Sequence, residues 1–84
     1  MVIEVLTPEE KLFTGEITSV MVPGISGRFQ ILENHAPIVS ALVKGDVELT
    51  LGTGEKQNFS IEKGFIEVLN NEVSLLVYTA AAAE

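Results

Sequence analysis

The apolar residues of this chain arrive in short, largely β-branched runs, and Gly, Pro and Asn separate one run from the next. This punctuation constrains the fold more than any other feature. β-Branched residues suit a pleated surface and lose rotamer freedom in a helix, while Gly, Pro and Asn supply the dihedral angles of turns. The chain therefore reads as all-β. Strands are expected over residues 2–6, 16–22, 28–32, 38–43, 46–51, 57–61, 65–69 and 72–78, with no long helix. Pro23-Gly24 and Ser26-Gly27 flank one tight connection, Gly52-Thr53-Gly54 forms a second, and Asn70-Asn71 can take the positive φ angles of a hairpin turn. Strands so close in sequence should pair mostly with their neighbours, giving an antiparallel sandwich or flattened barrel.

Alternation within the runs assigns faces. In GDVELTL, Val47, Leu49 and Leu51 point one way and Glu48 and Thr50 the other, so this strand has one wet face. The last two strands are apolar on both sides: Phe65 and Leu69 oppose Ile66 and Val68, and Val73, Leu75 and Val77 oppose Leu76 and Tyr78. A sandwich has only one interior. Apolar groups on the outer faces of these strands, with the surplus around Ile66, Val68, Leu76 and Tyr78, must then be covered by loops, by a further segment of chain or by a partner. The four alanines at 80–83 are the first turn of a helix or a frayed terminus.

An 84-residue chain has material for a single core, so residues 1–84 are expected to form one domain. No cysteine is present to form disulfides or thiolate metal sites, so packing must hold the fold. A formal net charge of −7 opposes direct binding to nucleic acid or to an anionic lipid surface. No apolar stretch approaches the roughly 18 residues of a membrane span, and Glu4 interrupts the place of a signal peptide. The chain is expected to be soluble and to reach a membrane only through a protein partner.

Chemistry is sparse. His35 is the one histidine, and although Ser26, Ser40 or Ser60 could be drawn beside it, the Gly-x-Ser-x-Gly elbow of a hydrolase is missing. One histidine with scattered glutamates does not compose a zinc site. The run PGISGRFQI is glycine-rich but lacks the Gly-Lys-Ser/Thr ending of a phosphate loop, so it reads as a surface turn. Glu9-Glu10 reads as a solvated turn. Pro37 biases Ala36 toward extended geometry, which makes Asn34 to Pro37 a rigid entry to a strand. On it, His35 either bonds within its own turn or is presented as a contact residue, and the two roles are compatible. No catalytic, cofactor or metal residue is expected. A small-ligand-binding sandwich recognising its ligand through the His35 loop is the alternative to an interaction module.

The order of four motifs narrows the choice. Phe-x-Gly at Phe13 to Gly15, Pro-Gly-x-x-Gly at Pro23 to Gly27, Asn-His-Ala-Pro at Asn34 to Pro37 and Gly-Phe-x-Glu-Val at Gly64 to Val68 run over nearly the whole chain. In that order and spacing the chain closely resembles the N-terminal domain of the epsilon subunits of F-type ATP synthases, called delta in mitochondria. The resemblance implies an antiparallel sandwich of about ten short strands in the central rotor stalk. It also implies a noncatalytic role without cofactors, coupling proton-driven rotation of the c ring to the gamma subunit. By matching positions, Thr7, His35 and Ser40 would meet gamma, and Ser26, Gly27 and Arg28 the polar loops of the c ring. Location would be peripheral, at the cytoplasmic face of the bacterial inner membrane. Arg28 stands where many relatives carry an acid, so charge pairing with the ring is rearranged or the contact runs through neighbours; Gln30 replaces a frequent glycine. The sequence also ends where relatives usually continue into a C-terminal helical hairpin, from a naturally short chain or from truncation.

Overall fold

The computed structural model describes residues 1–79; the alanine run at 80–83 lies outside the described residues. Eight strands follow one another: β1 Val2–Leu6, β2 Lys11–Gly24, β3 Gly27–Leu32, β4 Ile38–Leu42, β5 Gly45–Leu51, β6 Lys56–Ile61, β7 Lys63–Leu69 and β8 Glu72–Tyr78. Every expected strand is present. The largest difference is the start of β2, at Lys11 rather than residue 16. Its first half is held by a long-range ladder to β1, from Val2↔Glu16 to Leu6↔Lys11. Gly15 therefore lies within the strand rather than at a turn, and the Phe13 ring fills the space beside it, 3.1 Å from where a Cβ would stand.

β2 serves both layers. Its first half pairs with β1, and its second half lies between β3 and β5. One layer comprises β4, β7, β8, β1 and the first half of β2; the other comprises β3, the second half of β2, β5 and β6. This shared strand explains why eight continuous strands suffice where the resemblance implied about ten. Consecutive strands form the hairpins β1–β2, β2–β3, β5–β6 and β7–β8, but β2–β5, β4–β7 and β1–β8 join strands distant in sequence. The β1–β8 ladder is parallel, an exception to the expected antiparallel pairing. It places β1 between its hairpin partner β2 and the last strand, which runs in the same direction as β1.

One core fills the space between the layers, built from residues such as Ile3, Val5, Ile17, Val20, Leu49, Ile61 and Leu75. In β7 burial alternates strictly, with Gly64, Ile66 and Val68 inside and Phe65, Glu67 and Leu69 outside. This corrects the assignment of the apolar surplus. Ile66 and Val68 belong to the core, and the outward apolar residues on these strands are Phe65, Leu69 and the half-buried Leu76 and Tyr78. Asn70 and Asn71 make the β7–β8 turn with φ of 51° and 63°, the double left-handed geometry of a type I′ hairpin.

Three substitutions test this packing. Leu75→Ala, at a fully buried position, is expected to lower unfolding free energy by about 2–5 kcal/mol in urea titrations. A Cβ on Gly64 would stand 2.6 Å from the Leu76 carbonyl oxygen, so Gly64→Ala is expected to cost about 1–3 kcal/mol. Gly52→Ala meets nothing nearer than Glu16 O at 3.9 Å and should stay within about 0.5 kcal/mol.

Candidate functional site

Thr7 ends the turn side of β1 and is only 8 % exposed. Its Oγ1 accepts from the Glu9 and Glu10 amides at 3.3 and 3.1 Å, and its hydroxyl donates to Glu10 O at 3.2 Å. The Thr7 amide also donates to Glu10 O at 2.8 Å. A short hydroxyl side chain can bond backbone two and three residues ahead, and this is how such a turn closes. Thr7 therefore shapes the β1–β2 connection, and its hydroxyl is already occupied.

The Asn34 to Pro37 entry is rigid for more reasons than its proline. Asn34 adopts φ 65°, and its amide donates to Asn71 Oδ1 at 2.6 Å. Asn71 Nδ2 donates in return to Asn34 Oδ1 at 2.9 Å. Two turns distant in sequence are thus clasped by one reciprocal amide pair. The His35 amide donates to Leu32 O at 3.2 Å, and its ring Nδ1 lies 2.7 Å from Ala36 O. A carbonyl only accepts, so Nδ1 carries the proton and Nε2 remains for a partner. Both readings of His35 are thus compatible with this geometry: it bonds within its turn, and it borders an open hollow lined by Asn34, Ala36, Pro37, Asn70 and Asn71.

Arg28 lies at the start of β3, where its Nη1 donates to the Asp46 carbonyl at 2.6 Å. Asp46 Oδ1 in turn accepts from Ser60 Oγ at 2.8 Å. The guanidinium ties the β2–β3 hairpin to β5, and the hairpin tip presents Ile25 at 67 % exposure. Gly27, at φ 126°, occupies backbone space that other residues rarely enter. Ser40 pairs with Ile66 across the β4–β7 ladder, is half-buried, and donates to Ala41 O at 3.3 Å.

The predicted positions fall into an unexpected arrangement. Ser40 shares a hollow with Ser26, Gly27 and Arg28. Thr7 and His35, by contrast, lie toward opposite ends of the β1–β8 pair: the Val2 amide bonds Asn71 O beside the His35 turn, whereas Thr7 follows Leu6 at the far end. Five strand residues separate these ends by about 17 Å. Any partner touching both must span a whole layer. Sequence reasoning missed the Asn34–Asn71 clasp, whose only sequence signal was the tolerance of asparagine for positive φ. It also missed Val39, which is 72 % exposed beside Phe65 on the outer face.

Comparison with known proteins is consistent over nearly the full chain. The family described as "ATP synthase, Delta/Epsilon chain, beta-sandwich domain" matches residues 1–83. The ATP synthase epsilon chain of Chlorobium limicola is 45 % identical over 74 residues, covering 88 % of this chain and 84 % of the relative. That of Leptospira borgpetersenii is 46 % identical over 82 residues, covering 98 % of this chain but 64 % of the relative. A chain of the Euglena gracilis mitochondrial ATP synthase superposes with a TM-score of 0.86 at 20 % identity, over 92 % of this chain and 49 % of that one. At that identity the likeness shows the fold.

Two local bonding patterns can be tested by stability. Asn34→Ala and Asn71→Ala should each destabilise, and a double-mutant cycle should return a coupling of about 0.5–1.5 kcal/mol, because one clasp is lost only once. Thr7→Val should cost about 1–2 kcal/mol in the same urea assay, since it leaves two turn amides without their acceptor.

Proposed function

The chain belongs to the delta/epsilon β-sandwich family of ATP synthase, and on that premise we propose that it works as a noncatalytic subunit of the central rotor stalk. In this role residues 1–84 act as one domain that binds the gamma subunit and the c ring. Rotation of the ring is thereby passed to gamma and the catalytic head. Association with the membrane runs through the complex, at the cytoplasmic face of a bacterial inner membrane. The observation that carries the reading is the family match over residues 1–83, joined to a fold with the stiffness such a role needs. A coupler that yields under torque loses the rotation it should transmit. Here β2 is hydrogen-bonded into both layers, and the first and last strands are laddered together.

We place the gamma contact at Thr7, His35 and Ser40 and the c-ring contact at Ser26, Gly27 and Arg28. His35 offers Nε2 from a turn held rigid by the Asn34–Asn71 clasp. The β2–β3 tip is exposed and braced by Arg28. Because the guanidinium is engaged at Asp46 O, the tip meets the ring through its shape and its apolar Ile25 as well as through charge. An exposed ion pair would add only about 0–1 kcal/mol there.

Co-purification with the cognate gamma subunit tests this reading. The wild-type chain is expected to form a stoichiometric complex, and His35→Ala to weaken it by more than about 1 kcal/mol without changing thermal stability. Failure of the folded wild-type chain to bind a folded gamma subunit contradicts the assignment.

A further inference from the structure

The strands that end each layer differ in how their outer edges are closed. On β3, the Leu32 carbonyl accepts from the His35 amide. On β4, Leu42 pairs with Gly24 of β2, and the Val43 amide that follows bonds Pro23 O. The first half of β2 meets β1 through a bulge beside Lys11, and its Glu16 carbonyl accepts from Gly52. β6 has none of these devices. Its ladder to β5 runs from Gly45↔Ile61 to Thr50↔Lys56 without a register shift, and the strand contains no proline. The Leu51 amide donates to Glu55 O in the same register, and bonded pairs alternate along an antiparallel ladder. Gln57, Phe59 and Ile61 therefore bond β5, while the amides and carbonyls of Lys56, Asn58 and Ser60 point away from it. No other strand among the described residues pairs with that edge. A straight, unpaired edge is a template for another strand.

We propose that β6 is a self-pairing edge, through which a second copy of this chain extends the sheet when the chain is free of a larger assembly. The inference goes beyond the stalk reading and does not depend on it. Symmetry and charge identify the occupant. In an antiparallel twofold pairing centred on Asn58, that residue faces Asn58 of the second copy, and Lys56 faces Ser60 of the second copy. These are the residues whose backbone groups are unused, so each pair exchanges both of its bonds. An edge lysine ordinarily opposes strand addition. Here it faces Ser60, whose Oγ donates to Asp46 Oδ1 at 2.8 Å, so the ammonium of each copy lies toward the Asp46 carboxylate of the other. Within its own copy Lys56 reaches only Glu48, at 3.9 Å, and 61 % of its side chain is exposed, which leaves it free to turn to a new partner. On the opposite face Gln57 stands across from Phe59 of the second copy, a half-buried ring packed on the core that gains a further cover. Glu55 and Glu62 flank the pairing at its ends and confine it to β6. The formal net charge of −7 opposes association, but at physiological ionic strength screening limits that repulsion to about 8 Å, the range at which Lys56 meets Asp46.

The test is sedimentation equilibrium of the full chain, joined to NMR of a mixture of isotopically labelled and unlabelled copies. A contact this small implies a weak dimer, with a Kd of about 0.1–1 mM. The wild-type chain is expected to sediment as a mixture of monomer and dimer in that range, and to show a close contact between Gln57 Hα of one copy and Phe59 Hα of the other. Asn58→Pro removes an amide that β5 does not use, and should abolish the dimer while the chain stays folded. Lys56→Glu should weaken it about tenfold, and adding Asp46→Lys should restore it. A wild-type chain that stays monomeric up to about 1 mM overturns the proposal. A dimer that survives both Asn58→Pro and Lys56→Glu overturns it as well, because another surface then holds the copies together. Neither result touches the stalk reading, which stands or falls on binding to gamma.

Discussion

β2 holds this structure together through a division of its hydrogen bonds. Residues 11–16 pair with β1 in one layer, and residues 19–24 pair with β3 while 17–21 meet β5 in the other. A strand engaged in both layers cannot slide in one without disturbing its pairing in the other. A one-residue slip would also turn Ile17, Val20 and Val22 out of the core. The parallel β1–β8 ladder adds a second tie between chain regions far apart in sequence. Most of the remaining architecture follows: β7 and β4 extend the layer beyond β8, and β6 extends the other beyond β5. With no cysteine in the chain, these ladders and one shared apolar core provide the rigidity.

How much of this was legible depended on whether the signal was local. All eight strands could be read from β-branched runs and turn residues, and the Asn70-Asn71 turn has the dihedral angles its composition suggested. The first half of β2 was not legible. Its sequence Lys11-Leu12-Phe13-Thr14-Gly15 has weak alternation and a glycine, and it is a strand because β1 lies beside it. The parallel pairing of β1 and β8 was hidden for the same reason, since long-range pairing leaves no mark in either strand. Period-two alternation separated the faces of β7 and β8 but could not say which face was inside. Burial settled that point, placing Ile66 and Val68 in the core and Phe65 outside.

The interaction sites show the same division. The resemblance supplied positions, and geometry altered what those positions can do. Thr7 and Ser40 use their hydroxyls on their own backbone, Arg28 braces a hairpin against β5, and His35 keeps one ring nitrogen for its turn. Several of the polar residues that mark the surface therefore act chiefly to shape it. Among the large apolar groups left exposed are Val39 and Phe65 on one face and Ile25 at the hairpin tip, with Glu67 beside the first two and in no ion pair among the described residues. A rotor coupler built this way presents fixed apolar contacts on a stiff frame. Little ordering is then required when the partner binds, which favours a tight and rigid joint.

The most direct test of this account is a methyl- and ring-resolved NMR titration of the isotopically labelled chain with its cognate gamma subunit. The stalk assignment predicts that the methyl signal of Thr7 and the ring signals of His35 shift or broaden, while Met21 on the outer face of β2 keeps its free-state position. Perturbation confined to Met21 and its neighbours, or a spectrum unchanged by saturating gamma, would contradict the account.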